Sequence, residues 1–152
     1  MPRDVVVTSG DSRFMQEISI GPHQLKADEL IVSGGSDAGP NPYELLLASL
    51  GACTSITLRM YAGRKGWPLT VVRVRLTHEK IYAQDCVDCE TKEGMLDLII
   101  REILLVGELS DEQRQRLLEI ANKCPVHRTL TSEVRIETRT PPVNVSKGES
   151  AQ

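Results

Sequence analysis

A mixed α+β fold is predicted for this chain by three features of its sequence. Two stretches carry helix-start signals ahead of apolar residues at helical spacing. Others alternate apolar and polar residues with the period of a strand, and no internal repeat appears. The 152 residues are enough for one domain, placed at residues 1–140, with a flexible tail over residues 141–152.

The elements follow in order. Residues 1–12 read as a loose lead-in. From Phe14 to Ile20, Phe14, Ile18 and Ile20 lie on one side and Glu17 and Ser19 on the other, predicting a strand. The Gly21-Pro22-His23 turn then leads into a second strand, HQLKADELIV, to make a hairpin. SGGSDAGPNP, 33–42, is a glycine- and proline-rich loop. Asn41 is a favoured N-cap, Pro42 suits the first helical position, and Glu44 at the third can reach back to the cap. The helix that follows meets no breaker before Gly63 and is nearly uncharged until Arg59, the pattern of a buried helix rather than a surface one. VVRVRLTHEK, 71–80, alternates as a half-exposed strand. LDLIIREILLVG, 96–107, is rich in leucine and β-branched residues and is assigned to a strand ending at Gly107. Ser110 and Gln113 form a capping-box pattern for a second helix, with Leu117, Ile120, Ala121 and Cys124 on its inner face and Pro125 as its stop or turn. EVRIETR, 133–139, is predicted as a last strand.

Composition excludes several function classes. Eighteen basic residues against 21 acidic ones leave a net charge of −3, so there is no cationic field for nucleic acid or an acidic membrane. One Trp, three Tyr and one Phe cannot build a base-stacking surface. The longest uncharged run, Leu45–Leu58, is too short and too rich in Ser, Thr and Gly for a membrane span, and the N-terminus lacks the apolar core of a signal peptide. A cytoplasmic location is therefore expected. In a reducing compartment four cysteines point to metal binding, catalysis or simple burial rather than a disulfide framework.

Those cysteines carry the chemistry. Cys53 has Leu46, Ser49, Leu50, Ile56, Thr57 and Met60 as helix-face neighbours, a setting that suits plain packing. Mid-helix it gains little from the dipole, so a reactive Cys53 needs a basic side chain from elsewhere. Cys124, read at a helix C-terminus, sits where the dipole disfavours a thiolate but where a resolving thiol is acceptable. Cys86-Val-Asp-Cys89 and Cys124-Pro-Val-His127 together offer four zinc ligands of tetrahedral type. Packing, metal binding and thiol chemistry all stay open on spacing alone.

NPYELLLASLGACT, followed about 70 residues later by KCPVHRTL, resembles the OsmC/Ohr family of osmotically inducible and organic hydroperoxide resistance proteins, over roughly residues 12–138. The intervening DCVDCETKEG is similar to a CxxC-containing subgroup. The resemblance implies an intertwined homodimer in which long hydrophobic central helices are packed by curved antiparallel sheets. It implies thiol-dependent reduction of organic hydroperoxides in oxidative stress defence: Cys53 is the peroxidatic thiol, Cys124 the resolving one, and an external dithiol or lipoyl-type reductant restores them without metal or organic cofactor. It also implies an arginine to ionise the thiol and a glutamate to hold that arginine. The family's glutamate position falls on Tyr43, with Glu44 one residue later, and the arginine position near the hairpin turn offers His23, with Arg13 upstream. Arg13, His23 and Glu44 are thus the accessory candidates, alongside Arg59 and Arg128. Glu44 and Cys53 are nine residues apart, about 13 Å along one straight helix and on opposite faces, so they can meet only across two chains. The competing reading is a non-enzymatic small-molecule or protein-binding module, with Cys86, Cys89, Cys124 and His127 holding zinc.

Overall fold

The computed structural model describes residues 2–142. In chain order these form β1 (Val5–Ser9), β2 (Gln16–Ile20), β3 (His23–Ala27), a 3-10 turn at Ile31–Ser33, α1 (Pro42–Lys65), β4 (Val71–Tyr82), a 3-10 turn at Ala83–Asp85, β5 (Met95–Val106), α2 (Asp111–Ala121) and α3 (Pro125–Leu130). The fold is α+β, as predicted. Leu45–Glu133 makes one compact unit; of the described residues, 2–44 together with 134–142 make the other.

In the terminal unit, β1, β2 and β3 form an antiparallel meander, with Val7 opposite Ile18 and Ile18 opposite Leu25. The turn between β2 and β3 needs Gly21, whose φ of +55° lies in the left-handed region. β1 corrects the expectation of a loose lead-in. Its Val5-Val6-Val7 run lacks the alternation of a half-buried strand, and it sits at the sheet edge with all three valines at least 55% exposed. The second strand ends at Ala27, earlier than predicted, because Asp28 turns the chain. Only 3% exposed, its carboxylate accepts the N–H groups of Glu29 (2.7 Å), Ser36 (3.1 Å) and Ala38 (3.2 Å) and so folds the glycine-rich loop around itself. Burial alone would raise this carboxyl, but the three donors outweigh it and hold it below its ordinary value. Residues 133–139, predicted as a strand, form none: the alternation is there, but no ladder among the described residues receives it, and Ile136 is 84% exposed. Of the tail expected at 141–152, residues 143–152 lie outside the described residues.

The central unit is built on α1. Leu50, Thr54, Leu58 and Ala62, four residues apart, make its buried stripe. Leu58 and Ala62 pack with Leu69, Leu105 of β5, and Leu117, Ile120 and Ala121 of α2 into one core. β4 and β5 pair antiparallel over twelve residues each, with Val72 opposite Leu105, Val74 opposite Ile103 and Leu76 opposite Arg101 on the more buried face. Gly51 lets this ribbon close on α1: a Cβ there would lie 2.8 Å from Leu76 Cδ1. Ser110 and Gln113 make the reciprocal capping box predicted for α2. With 24 residues, α1 is long and apolar enough to cross a membrane by length and composition, which the shorter uncharged run had not suggested.

Candidate functional site

α2 ends at Ala121 and α3 begins at Pro125, so only three residues separate them. Cys124 is therefore the N-cap of α3, not the last turn of α2. Pro125 takes the first helical position, which needs no N–H donor, and starts a helix rather than stopping one. This reverses the electrostatics expected for Cys124. Its sulfur, fully buried, accepts the His127 N–H at 3.3 Å. A short polar residue directly before proline was the signal in the sequence that could have shown it.

The second free thiol reaches the same turn. Cys53 lies one position off the buried stripe of α1, half-exposed, and its sulfur accepts the Val126 N–H at 3.5 Å. Cys53 is thus neither locked in the core nor without a donor. Two adjacent backbone N–H groups of α3 serve the two sulfurs.

Arg101 completes this cluster, and the sequence reading missed it. It lies on the inward face of β5, where its Nη1 donates to Thr54 Oγ1 (3.1 Å) and Ala121 O (3.4 Å) and its Nη2 to Asn122 Oδ1 (2.9 Å). All three acceptors are neutral. The clue in the sequence was a charge in phase with the inward Ile103 and Leu105. Thr54, buried beside Cys53, donates its one hydroxyl proton to Leu50 O at 2.7 Å. It already accepts from Arg101, so across its 3.9 Å contact with Cys124 Sγ the thiol must be the donor. Each sulfur thus faces one backbone N–H of α3, and Cys124 in addition touches the Thr54 hydroxyl. His127 is pushed below its ordinary pKa, first by burial and then by the Arg101 charge, so its imidazole is neutral at pH 7.

Arg101 and His127 line a cavity of about 410 Å³ whose apolar wall is Leu50, Leu98, Ile99 and Leu130. Asp97, also on its wall, is bonded to His78 (2.8 Å) and Lys80 (3.0 Å), which hold its carboxyl below the ordinary value. A guanidinium with only neutral acceptors and an adjoining greasy wall can take a molecule with one polar end and an alkyl body.

Glu44 accepts the Asn41 N–H (2.9 Å) and Asn41 accepts that of Glu44 (2.8 Å), so Glu44 is a capping-box residue. Arg13 stacks over Phe14 at 4.9 Å from the ring centre, and His23 is exposed at the start of β3. Arg59 donates to Leu69 O and Thr70 O, and Arg128 is exposed. Cys86 and Cys89 are bonded to each other, whereas metal binding, catalysis or burial was expected of the cysteines rather than a disulfide framework. The four proposed zinc ligands are not gathered. Among the described residues the metal-type cluster, with atoms within 4.8 Å, is Cys86, Asp88 and Cys89, while Cys124 and His127 are engaged at α3.

The α+β frame brings two free thiols, Cys53 and Cys124, to the start of one helix. The chain belongs to the OsmC-like protein family, whose model matches residues 34–139. Solved structures share the fold. An OsmC-like protein from Mycoplasma pneumoniae is 17% identical over 86% of this chain and 87% of that one, with a TM-score of 0.67. An organic hydroperoxide resistance protein OsmC from Legionella pneumophila is 17% identical over 86% and 90%, with a TM-score of 0.63. The organic hydroperoxide resistance protein OhrB of Bacillus subtilis is 16% identical over 86% and 91%, with a TM-score of 0.59. No curated protein matches the sequence at significance.

Proposed function

We propose that this chain is a cytoplasmic, homodimeric, thiol-dependent organic hydroperoxide reductase. The observation that carries the reading is the pair of free sulfurs on adjacent N–H groups, Cys53 on Val126 and Cys124 on His127. Structural relatives described as organic hydroperoxide resistance proteins support it. The half-exposed Cys53 attacks the distal oxygen of the hydroperoxide as a thiolate. The O–O bond breaks, the alkoxide takes a proton and leaves as an alcohol, and Cys53 becomes a sulfenic acid. Cys124 then attacks that sulfur, water leaves and the disulfide closes; an external dithiol, of lipoyl type or otherwise, returns both to thiols. No metal or organic cofactor enters the cycle. The apolar cavity wall takes the alkyl body of the peroxide and Arg101 its polar end. Glu44 is engaged in its capping box, which leaves Arg13 and His23 as the remaining accessory candidates.

The dimer reading rests on α1, whose Leu46, Ile56 and Met60 are 37%, 59% and 60% exposed. A second copy covering that face would bury them. The test of the activity is turnover of an alkyl hydroperoxide with a dithiol. Cys53→Ser should abolish it, and Cys124→Ser should stop after one cycle with a trappable sulfenic acid. Turnover that survives Cys53→Ser, or a parent protein that consumes no peroxide, rejects the proposal.

A further inference from the structure

The hairpin end joining β4 to β5 holds a pair of cysteines that the Cys53–Cys124 chemistry leaves unused. Its base is anchored: Ala83 is fully buried and its N–H donates to Gly94 O at 2.8 Å. Beyond the base the chain opens to solvent. Cys86 and Cys89 are half-buried and bonded to each other, their Cα atoms 5.5 Å apart, while Val87 between them is 94% exposed. The bond joins residues three apart, so it does not link β4 to β5, which their own ladder already holds together. Cross-link stabilisation grows with the length of the loop closed, so this bond adds little compared with a strand-to-strand link. A solvent-reached disulfide with a small structural contribution is open to exchange.

Charge narrows what can reduce it. From residue 85 to 93, four carboxylates (Asp85, Asp88, Glu90 and Glu93) face one cation, Lys92, a local charge of −3 (4 negative, 1 positive). Asp88 Oδ1 lies 3.7 Å from Cys86 Sγ. This field repels a thiolate that carries further negative charge and draws in one attached to a cation. We propose that Cys86 and Cys89 form a second thiol–disulfide centre, separate from Cys53 and Cys124, that takes two electrons from an external dithiol of neutral or positive charge. The incoming thiolate attacks one sulfur and the Cys86–Cys89 bond breaks. A mixed disulfide forms and the freed cysteine takes a proton. The second thiol of the partner then displaces the remaining cysteine, which is protonated in turn, and the partner departs as a disulfide. The centre stands whether or not the chain reduces peroxides.

The test uses the full chain with Cys53→Ser and Cys124→Ser, so that thiol labels report the hairpin pair alone. The oxidised protein is treated with cysteamine or with glutathione, quenched with a maleimide, and counted by intact mass. Two labels should enter each folded chain. The cysteamine-to-glutathione rate ratio should fall about three- to tenfold between about 10 mM and about 1 M salt, as screening removes the field. Asp88→Asn should shrink that fall. Peptide mapping of labels on the unsubstituted protein gives the same readout should the double variant misfold. A bond that resists dithiothreitol until the chain unfolds, a ratio indifferent to salt, or stoichiometric zinc on Cys86, Asp88 and Cys89 in place of the bond would each overturn the proposal.

Discussion

Replacing Thr54 with valine isolates the hydroxyl that links Arg101 to Cys124. The side chain is fully buried, donates to Leu50 O at 2.7 Å, accepts from Arg101 at 3.1 Å and touches Cys124 Sγ at 3.9 Å. Valine keeps the volume, and Leu50 O stays within the helical ladder of α1, so the principal loss is an acceptor for the guanidinium. Hydrogen bonds to charged groups contribute about 1.5–3 kcal/mol. Arg101 is partly exposed and keeps Ala121 O and Asn122 Oδ1, so Thr54→Val should cost about 1–2 kcal/mol. Thr54→Ser loses a methyl worth about 0.8 kcal/mol, too similar to decide the matter from single variants. Double-mutant cycles with Arg101→Met decide it: urea unfolding of the four proteins of each cycle should give a coupling of about 1 kcal/mol or more for valine and near zero for serine. A valine coupling within about 0.3 kcal/mol of zero would refute the claim that this hydroxyl holds the guanidinium.

Three further outcomes are expected. Glu44→Ala should cost about 0.5–2 kcal/mol by removing the partner of the Asn41 N–H, with peroxide turnover per folded chain unchanged; a fall in that turnover would return Glu44 to the chemistry. Asp28 governs part of the acid limb of stability. Its folded pKa lies below the ordinary 3.8, so its stabilisation is complete above that value and is lost as pH falls through the lower folded one. Asp28→Asn should flatten the urea-midpoint profile below about pH 4, and equal slopes in the two proteins would remove Asp28 as the source. Ile56→Glu with Met60→Glu should convert a dimer to a monomer by light scattering, and a parent protein that is already monomeric would reject the covered-helix reading.

The features legible before folding lie within a few residues of each signal. Asn41 with Glu44, and Ser110 with Gln113, are capping partners three positions apart, so the starts of α1 and α2 were legible without a fold. Alternation in VVRVRLTHEK marked β4 and turned Arg73 and Arg75 outward, and the paired cysteine motifs marked the family. β1 was not legible, because three consecutive valines show no face until a neighbouring strand supplies one. EVRIETR had the alternation but no ladder to join among the described residues. The site, in contrast, is assembled by long-range contacts. Arg101 bonds a residue 47 positions away, and Cys53 meets an N–H 73 positions away. Periodicity reports which face a side chain occupies, not which distant group the folded chain sets opposite it. The same limit applied to Cys124: the end of one helix and the start of the next are separated by only three residues in sequence but differ in the sign of the partial charge at the sulfur.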